Sequence, residues 1–305
     1  MTNFNIQILG CGSALPTTSH MPSSQLVSAN SKLFMIDCGE GTQLQMRKFG
    51  ARMGKLDSIF ISHLHGDHVF GLPGLISTFG LLGRTAPLTI YAHQELEQFI
   101  NPVLDLFCQH LSYKVHLVLL RRKGCNLIYE DKSLFVYSFP LKHRIASSGF
   151  LFQEKEKMRH IKREMIDYYK IPFHQIRAIK KGEDFVTSRG EVVANERLTT
   201  PPTPPRSYAY CSDTAYDESI VQYIEGVDVL YHEATFAESD LHRATKTAHS
   251  TAKQAATIAQ LAAVKKLVIG HFSSRYKDLN LLLEEAKAVF PNTELANEGK
   301  VIEIK

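Results

Sequence analysis

The sequence predicts a layered α/β sandwich. Three observations carry the prediction: short alternating apolar runs that read as strands, helical patterns interleaved with them, and ionisable residues gathered where the strands end. Strands are expected at Asn5 to Leu9, Gln25 to Ala29, Leu33 to Asp37, Ser58 to Ser62, Leu88 to Tyr91 and Leu134 to Phe139, with Gly-rich or polar turns between them. Ser207 to Ser212 and Lys266 to Gly270 are two more apolar runs of strand length. Helices are expected at Glu95 to Gln109, His249 to Ala263 and Leu279 to Phe290, where apolar residues return every third or fourth position. Val69 to Leu82, rich in Gly and Leu, reads as a loop leading into a helix. No internal repeat with a period of roughly 20 to 50 residues is visible.

At 305 residues, 44% hydrophobic and 22% charged, the chain has the composition of an ordinary soluble globular protein able to bury a full core. Its first residues lack a basic segment followed by an apolar one, and no stretch approaches the roughly 18 apolar residues of a membrane span. A cytoplasmic protein with no membrane association is expected. The five cysteines, Cys11, Cys38, Cys108, Cys125 and Cys211, are odd in number, scattered and without a C-x-x-C pair. That argues against a disulfide framework or a cysteine zinc knuckle and for a reducing compartment, so the cysteines receive no chemical role.

The most informative stretch is Ser62-His63-Leu64-His65-Gly66-Asp67-His68, which packs three imidazoles and a carboxylate into the pattern H-x-H-x-D-H. Single histidines are ordinary surface or core residues, but this density at the end of an apolar strand is the pattern of a metal site. In extended backbone His63 and His65 point the same way, while Asp67 and His68 in the following turn reach a second point nearby, so two metals fit better than one. His143, Asp213 and His271 each follow or terminate an apolar run. Loops at strand ends form the sites of sheet-based enzymes, so these distant residues are expected to converge with the motif.

These residues resemble the ribonuclease Z family of the metallo-β-lactamase superfamily, and the resemblance runs nearly end to end. The matching blocks are Gly10 to Thr17, Ile36 to Gln43, Ile61 to Gly74, Ser212-Asp213-Thr214, His232-Glu233-Ala234-Thr235-Phe236, Ala248-His249-Ser250-Thr251 and His271-Phe272-Ser273-Ser274-Arg275-Tyr276. The histidine motif gives only the superfamily; the H-E-A-T-F, H-S-T and H-F-S-S-R-Y blocks are similar to ribonuclease Z in particular. The resemblance implies a four-layered αββα metallo-β-lactamase sandwich spanning residues 1–305 as a single domain. It implies a zinc-dependent endoribonuclease that trims the 3′ trailer of precursor tRNA by hydroxide attack on a phosphodiester, leaving a 3′-hydroxyl on the tRNA. By the same resemblance, two Zn²⁺ are held per chain, one by His63, His65 and His143 and the other by Asp67, His68 and His271, with Asp213 bridging. Asp67 is also expected to be catalytic, and Asp37 to orient a ligand histidine. His249 is expected to protonate the leaving ribose oxygen with Glu233 holding its ring, and Arg275 to clamp phosphate.

The second informative region lies between His143 and Asp213. From Lys155 to Lys181 there are nine basic residues, Lys155, Lys157, Arg159, Lys162, Arg163, Lys170, Arg177, Lys180 and Lys181, against three acids. The segment is net +6 in a chain of net +4, which leaves the remainder at −2. Met158, Ile161, Met165 and Tyr168 return at helical spacing, so one packed face and one charged face are expected. The resemblance implies that residues 153–198 form an inserted RNA-binding arm that grips the tRNA through its backbone, in a homodimer where one subunit's arm serves the other's active site. The chain departs from the family in two places. Ile171-Pro172 is followed by Phe173-His174-Gln175 rather than a Gly-Pro-rich tip, and Pro16 by Thr17-Thr18-Ser19-His20 rather than a basic loop that senses CCA. The resemblance therefore leaves open the position of cleavage relative to CCA. The alternative is a binuclear-metal hydrolase of small phosphodiesters, sulfate esters or thioesters, against which the basic insertion argues. A binding module with structural zinc is disfavoured by Asp67, since closed structural sites favour cysteine ligands.

Overall fold

The apolar alternation of the chain is realised as two seven-stranded sheets in a computed structural model that describes residues 3–305. In chain order the strands are β1 Phe4–Gly10, β2 Ser24–Ala29, β3 Lys32–Ile36, β4 Leu56–Phe60, β5 Leu88–Ala92, β6 Val115–Leu119, β7 Asn126–Glu130, β8 Leu134–Leu141 and β9 Ser147–Glu154. The four short strands of the insertion follow: β10 His160–Ile161, β11 Phe185–Val186, β12 Val192–Val193 and β13 Thr199–Thr200. The last five are β14 Ser207–Cys211, β15 Val229–Glu233, β16 Leu267–Gly270, β17 Thr293–Leu295 and β18 Val301–Glu303. One sheet has the order β18-β1-β2-β3-β4-β5-β6 and the other β17-β16-β15-β14-β9-β8-β7.

The chain divides into two compact units, one of residues 1–153 and 206–305, the other of 154–205. In the first unit the sheets face each other across an aromatic core. Phe60 of β4 meets Phe150 and Phe152 of β9 at ring-centroid distances of 5.5 and 5.4 Å, and Phe34 of β3 meets Phe152 at 5.8 Å, in the tilted and edge-on geometries that aromatic pairs favour. The outer face of the first sheet packs against Leu72, Leu75 and Phe79 of helix Leu72–Leu81 and against Leu96 and Ile100 of helix Leu96–Phe107. The second sheet is covered by Ala255 and Ala259 of helix Ala252–Leu261 and by Leu282 and Ala286 of helix Asn280–Lys287. This is the four-layered αββα sandwich.

Each sheet has a parallel half, β3 to β6 in one and β14 to β17 in the other. Parallel strands start and stop together, so the loops that leave their C-terminal ends are neighbours. His63 and His65 follow β4, Asp213 follows β14, Thr235 follows β15 and His271 follows β16. Helix Ala252–Leu261 begins three residues later than its periodicity predicts, because Thr251 caps it in a capping box with Gln254. His249 is thereby left in the loop before the helix.

The second unit has a small core of its own, with Ile171, Ile179, Phe185, Val193 and Leu198 buried. Asn195 ties it together by donating from Nδ2 to the carbonyls of Ile179 and Glu183, both at 2.7 Å. The single amphipathic pattern expected through Met158 and Tyr168 is not one helix. Ile161 pairs as a strand with Thr199, and the helix runs only over Arg163–Tyr169, followed by another over Phe173–Lys180. Among the nine cations, Arg163, Lys170, Arg177 and Lys181 are exposed. Three others are engaged: Lys157 with Glu154 at 3.1 Å, Arg159 with the Thr199 hydroxyl at 2.7 Å and Lys162 with the Arg197 carbonyl at 3.0 Å.

Candidate metal centre and active site

Two groups of donors converge where the parallel strands end. In the first, His63 Nε2 lies 3.0 Å from His65 Nδ1, which is 3.3 Å from His143 Nε2. In the second, Asp67 Oδ2 lies 3.4 Å from His68 Nε2 and 3.3 Å from His271 Nε2. Asp213 stands between them and divides its oxygens. Its Oδ2 is 3.5 Å from His63 and 3.9 Å from His143, while its Oδ1 is 3.4 Å from His68 and 3.2 Å from His271.

The outward ring nitrogens fix which atoms face the centre. Asp37 Oδ2 lies 2.8 Å from His68 Nδ1 and the Ala248 carbonyl 2.8 Å from His143 Nδ1; both oxygens only accept, so both ring nitrogens donate. The Thr235 hydroxyl donates to Glu233 Oε2 at 2.8 Å and so accepts from His271 Nδ1 at 2.8 Å. Likewise the Ser62 hydroxyl donates to Asp37 at 2.9 Å and accepts from His63 Nδ1 at 3.0 Å. Each of these four rings presents its Nε2 inward, whereas His65 presents Nδ1. Asp37 is fully buried and also accepts from the Ser62 backbone N–H and the Tyr210 hydroxyl, both at 2.7 Å. Its φ of 56°, and the 61° and 57° of His271 and Ala248, are left-handed values uncommon for such residues; three of them at one centre mark a backbone bent to aim side chains.

The donor set fits a divalent metal pair. Asp213 Oδ1 is buried and makes no hydrogen bond, although two imidazole nitrogens stand within 3.4 Å of it. With the outward nitrogens protonated, lone pairs of oxygen and nitrogen face each other, and a positive charge between them offsets the repulsion. Burial lowers the proton affinity of His68, but Asp67, Asp213 and Asp37 outweigh it and push its pKa well up. His65 and His143, desolvated and crowded by other imidazoles, are held neutral with pKa values lowered to about 4. The nitrogen and carboxylate ligands, with no sulfur among them, suit Zn²⁺ or a similar divalent ion.

Beside the centre, His249 Nδ1 lies 2.8 Å from Glu233 Oε1, and its Nε2 lies 3.9 Å from Asp213 Oδ2. Burial would lower the His249 pKa, but the Glu233 charge and hydrogen bond raise it to about 9. Glu233 is fully buried and also accepts from the backbone N–H groups of Thr214, Thr235 and Ser250 at 3.2, 3.0 and 3.0 Å, which locks its carboxylate toward His249. A cavity of about 930 Å³ opens over the site, with Asp67, His249, His271, Arg144 and the exposed Arg275 in its wall. The structure thus brings together all seven expected ligands with Asp37, Glu233, His249 and Arg275. Sequence reading gave no separate role to Thr235, Ser62, Tyr210 or the Ala248 carbonyl. Ser62, Thr235 and Ala248 lie inside the matching blocks and Tyr210 inside an apolar run, which gave them no chemistry of their own.

The αββα sandwich and the split donor cluster at its strand ends define a metallo-β-lactamase-fold protein. A family model described as anti-Pycsar protein Apyc1 matches residues 4–113. The chain is 57% identical to a ribonuclease Z of Parabacteroides distasonis over 299 residues, 98% of each chain, and 56% identical to one of Bacteroides fragilis over 304 residues, the whole of both. Among solved structures it is similar to human tRNase Z, short form, with a TM-score of 0.71 and 27% identity over 99% of each chain. The metallo-β-lactamase-fold protein YhfI of Bacillus subtilis, 18% identical with a TM-score of 0.70 over 99% of each chain, shares the fold. The chain belongs to the ribonuclease Z family.

Proposed function

We infer that this chain is an endoribonuclease that removes the 3′ trailer from precursor tRNA, using divalent metal. We assign two Zn²⁺ per chain, one to His63, His65 and His143, the other to Asp67, His68 and His271, with Asp213 shared. The observation that carries this reading is the single carboxylate dividing its oxygens between two donor groups, in a chain of the ribonuclease Z family along its whole length. When bound, such a metal pair lowers the pKa of water and offsets charge on phosphoryl oxygens. The chain's own residues do the rest. Hydroxide adds to phosphorus as the bond to the ribose 3′ oxygen breaks, and the departing oxygen takes a proton from His249 Nε2. Glu233 keeps that ring oriented, since its hydrogen bond to Nδ1 fixes which nitrogen faces the cavity. Arg275, exposed at the cavity wall, is assigned to a phosphate oxygen.

The insertion, residues 154–205 by its compactness, is assigned to the tRNA backbone, with Arg163, Lys170, Arg177, Lys181, Arg189 and Arg197 as its exposed cations. No helix among the described residues is long and apolar enough to cross a membrane, and a tRNA substrate places the proposed activity in the cytoplasm. The assembly proposed is the homodimer that the family resemblance implies. One preparation tests these assignments. Purified protein is given a precursor tRNA and bis-p-nitrophenyl phosphate side by side, with and without chelator, and its mass is measured by sedimentation. Expected are a trailer and a tRNA ending in a 3′-hydroxyl, loss of both activities with chelator, recovery with Zn²⁺, and the mass of a dimer. Hydrolysis of the small diester with an untouched precursor tRNA would move the chain to a small-molecule branch of the superfamily.

A further inference from the structure

Away from the histidine cluster, a second group of potential ligands meets at one point. Cys11 Sγ lies 3.5 Å from His20 Nδ1 and 3.6 Å from Glu298 Oε1, and His20 Nδ1 lies 3.1 Å from Glu298 Oε2. The residues come from the end of β1, from the loop after it and from the segment before β18. Cys11 is fully buried, and the other two side chains are only 22% and 12% exposed.

The trio is not built for nucleophilic catalysis. A thiol–imidazole–carboxylate relay needs the thiol on one ring nitrogen and the carboxylate on the other, whereas here both approach Nδ1. A sulfur that no solvent reaches also cannot attack a substrate. The spacing matches tetrahedral metal coordination instead. Tetrahedral Zn–S bonds of about 2.3 Å and Zn–N or Zn–O bonds of about 2.0–2.2 Å set their donor atoms roughly 3.3–3.6 Å apart; Cys11 Sγ lies at such distances from His20 Nδ1 and Glu298 Oε1, and Glu298 approaches His20 with its other oxygen, Oε2. The charges match too. Burial, then the charge of Glu298, holds the proton on Cys11 and raises its pKa well above the ordinary thiol value. Of these two causes only the Glu298 charge also favours a dication; burial disfavours charge of either sign.

We propose that Cys11, His20 and Glu298 form a third, mononuclear site for a thiophilic divalent ion such as Zn²⁺, distinct from the binuclear centre. On binding, Cys11 gives up its proton and coordinates as thiolate, and thiolate and carboxylate together balance the dication. The ion is structural. Its ligands close the loop that runs from Gly12 to Met21, whose base is already held by Gly12 N donating to the Met21 carbonyl at 2.9 Å and by Met21 N donating to Glu298 Oε1 at 2.9 Å. Ser13, Ala14, Leu15 and Pro16 of that loop form one side of the cavity over the active site, so the ion fastens a substrate-facing wall to the C-terminal part of the chain.

Sulfur supplies the test, because the histidine and aspartate ligands of the binuclear centre contain none. The full chain is loaded with Zn²⁺ for metal analysis and with Co²⁺ for spectroscopy. Expected are one metal equivalent beyond those of the binuclear centre and a near-ultraviolet thiolate-to-cobalt charge-transfer band. Cys11→Ser and His20→Asn should each remove the band and one equivalent while retaining the visible absorption of cobalt at the binuclear centre. The absence of the band in the parent protein overturns the proposal even if neither variant folds. So does a band that survives in folded Cys11→Ser, since the sulfur would then be another cysteine, or in folded His20→Asn, since His20 would then not be a ligand. The band reports sulfur ligation however many ions the histidine cluster takes, so failure of the binuclear assignment is read separately.

Discussion

At the scale of single residues, the centre works by making each ring nitrogen unambiguous. His249 differs from the ligands around it in having Glu233, fully buried and already accepting three backbone N–H groups, as the partner of its Nδ1. Such a carboxylate is held in place before any substrate arrives. His249→Ala removes the proposed proton donor without removing any of the seven proposed metal ligands. Precursor tRNA cleavage should fall by roughly 10² to 10⁴, the usual worth of a positioned acid, with metal content unchanged. Bis-p-nitrophenyl phosphate, whose leaving group needs little protonation, should lose much less. Equal losses on the two substrates would mean that His249 acts by shaping the metal site. The residues legible in sequence were those whose chemistry is dense along the chain, as in His63 to His68, or that close a strand, as Asp213 and His271 do. Thr235 was not legible as a link between His271 and Glu233, because a hydroxyl has no signature until its two partners are known. Cys11, His20 and Glu298 were hidden by separations of 9 and 287 residues, and the odd count of scattered cysteines pointed away from metal.

At the scale of elements, a loop and a helix must touch to aim half of the centre. Gly71 N donates to the Cys38 carbonyl at 2.9 Å, and Cys38 N donates to the His68 carbonyl at 2.8 Å, so the segment after β3 is bound to the turn that carries Asp67 and His68. A Cβ on Gly71 would overlap the Gly39 carbonyl oxygen, which is backbone and has no rotamer to yield. Gly71→Ala should therefore cost about 1–3 kcal/mol, a fall in Tm of several degrees for a chain of this size, and weaken metal retention by Asp67 and His68. Gly54→Ala is the control, since no atom lies within 4 Å of its Cβ position. A Gly71→Ala protein with the parent's Tm and metal content would show that the contact is not needed. Apolar runs located eight of the fourteen strands of the two large sheets to within two residues. They did not mark β9 or β15, whose residues are buried almost throughout and so show no alternation, nor the partly exposed β6, β7, β17 and β18 toward the sheet edges. In the insertion periodicity joined Met158 and Ile161 to a helix that begins only at Arg163, because hydrogen bonding to Thr199 claims Ile161 for a strand.

At the scale of the whole molecule, charge and architecture divide along the same boundary. The insertion has its own buried core and exposes six cations, the four of its basic stretch with Arg189 and Arg197, while all the proposed metal ligands and proton donors belong to the other unit. β9 and β14, which flank the insertion, are antiparallel and in register, with Gln153 opposite Ser207. Their ends are thus spaced for a two-residue hairpin turn, and residues 155–205 are replaceable by Asn-Gly between Glu154 and Arg206. Removing only the basic stretch from Lys155 to Lys181 would instead strip Ile171 and Ile179 from the small core and leave Phe185, Val193 and Leu198 exposed. With the whole unit replaced, metal content and bis-p-nitrophenyl phosphate hydrolysis should stay near the parent's. Precursor tRNA cleavage should collapse through weaker binding. If the six exposed cations each contact a phosphate, the log–log slope of tRNA affinity against salt should flatten by about four to five units, at roughly 0.7 to 0.9 per released counterion. A folded hairpin variant that binds tRNA with the parent's affinity and salt slope would remove the insertion from recognition and place the RNA-binding surface on the sandwich itself, where Arg144 and Arg275 beside the cavity would be the next cations to replace.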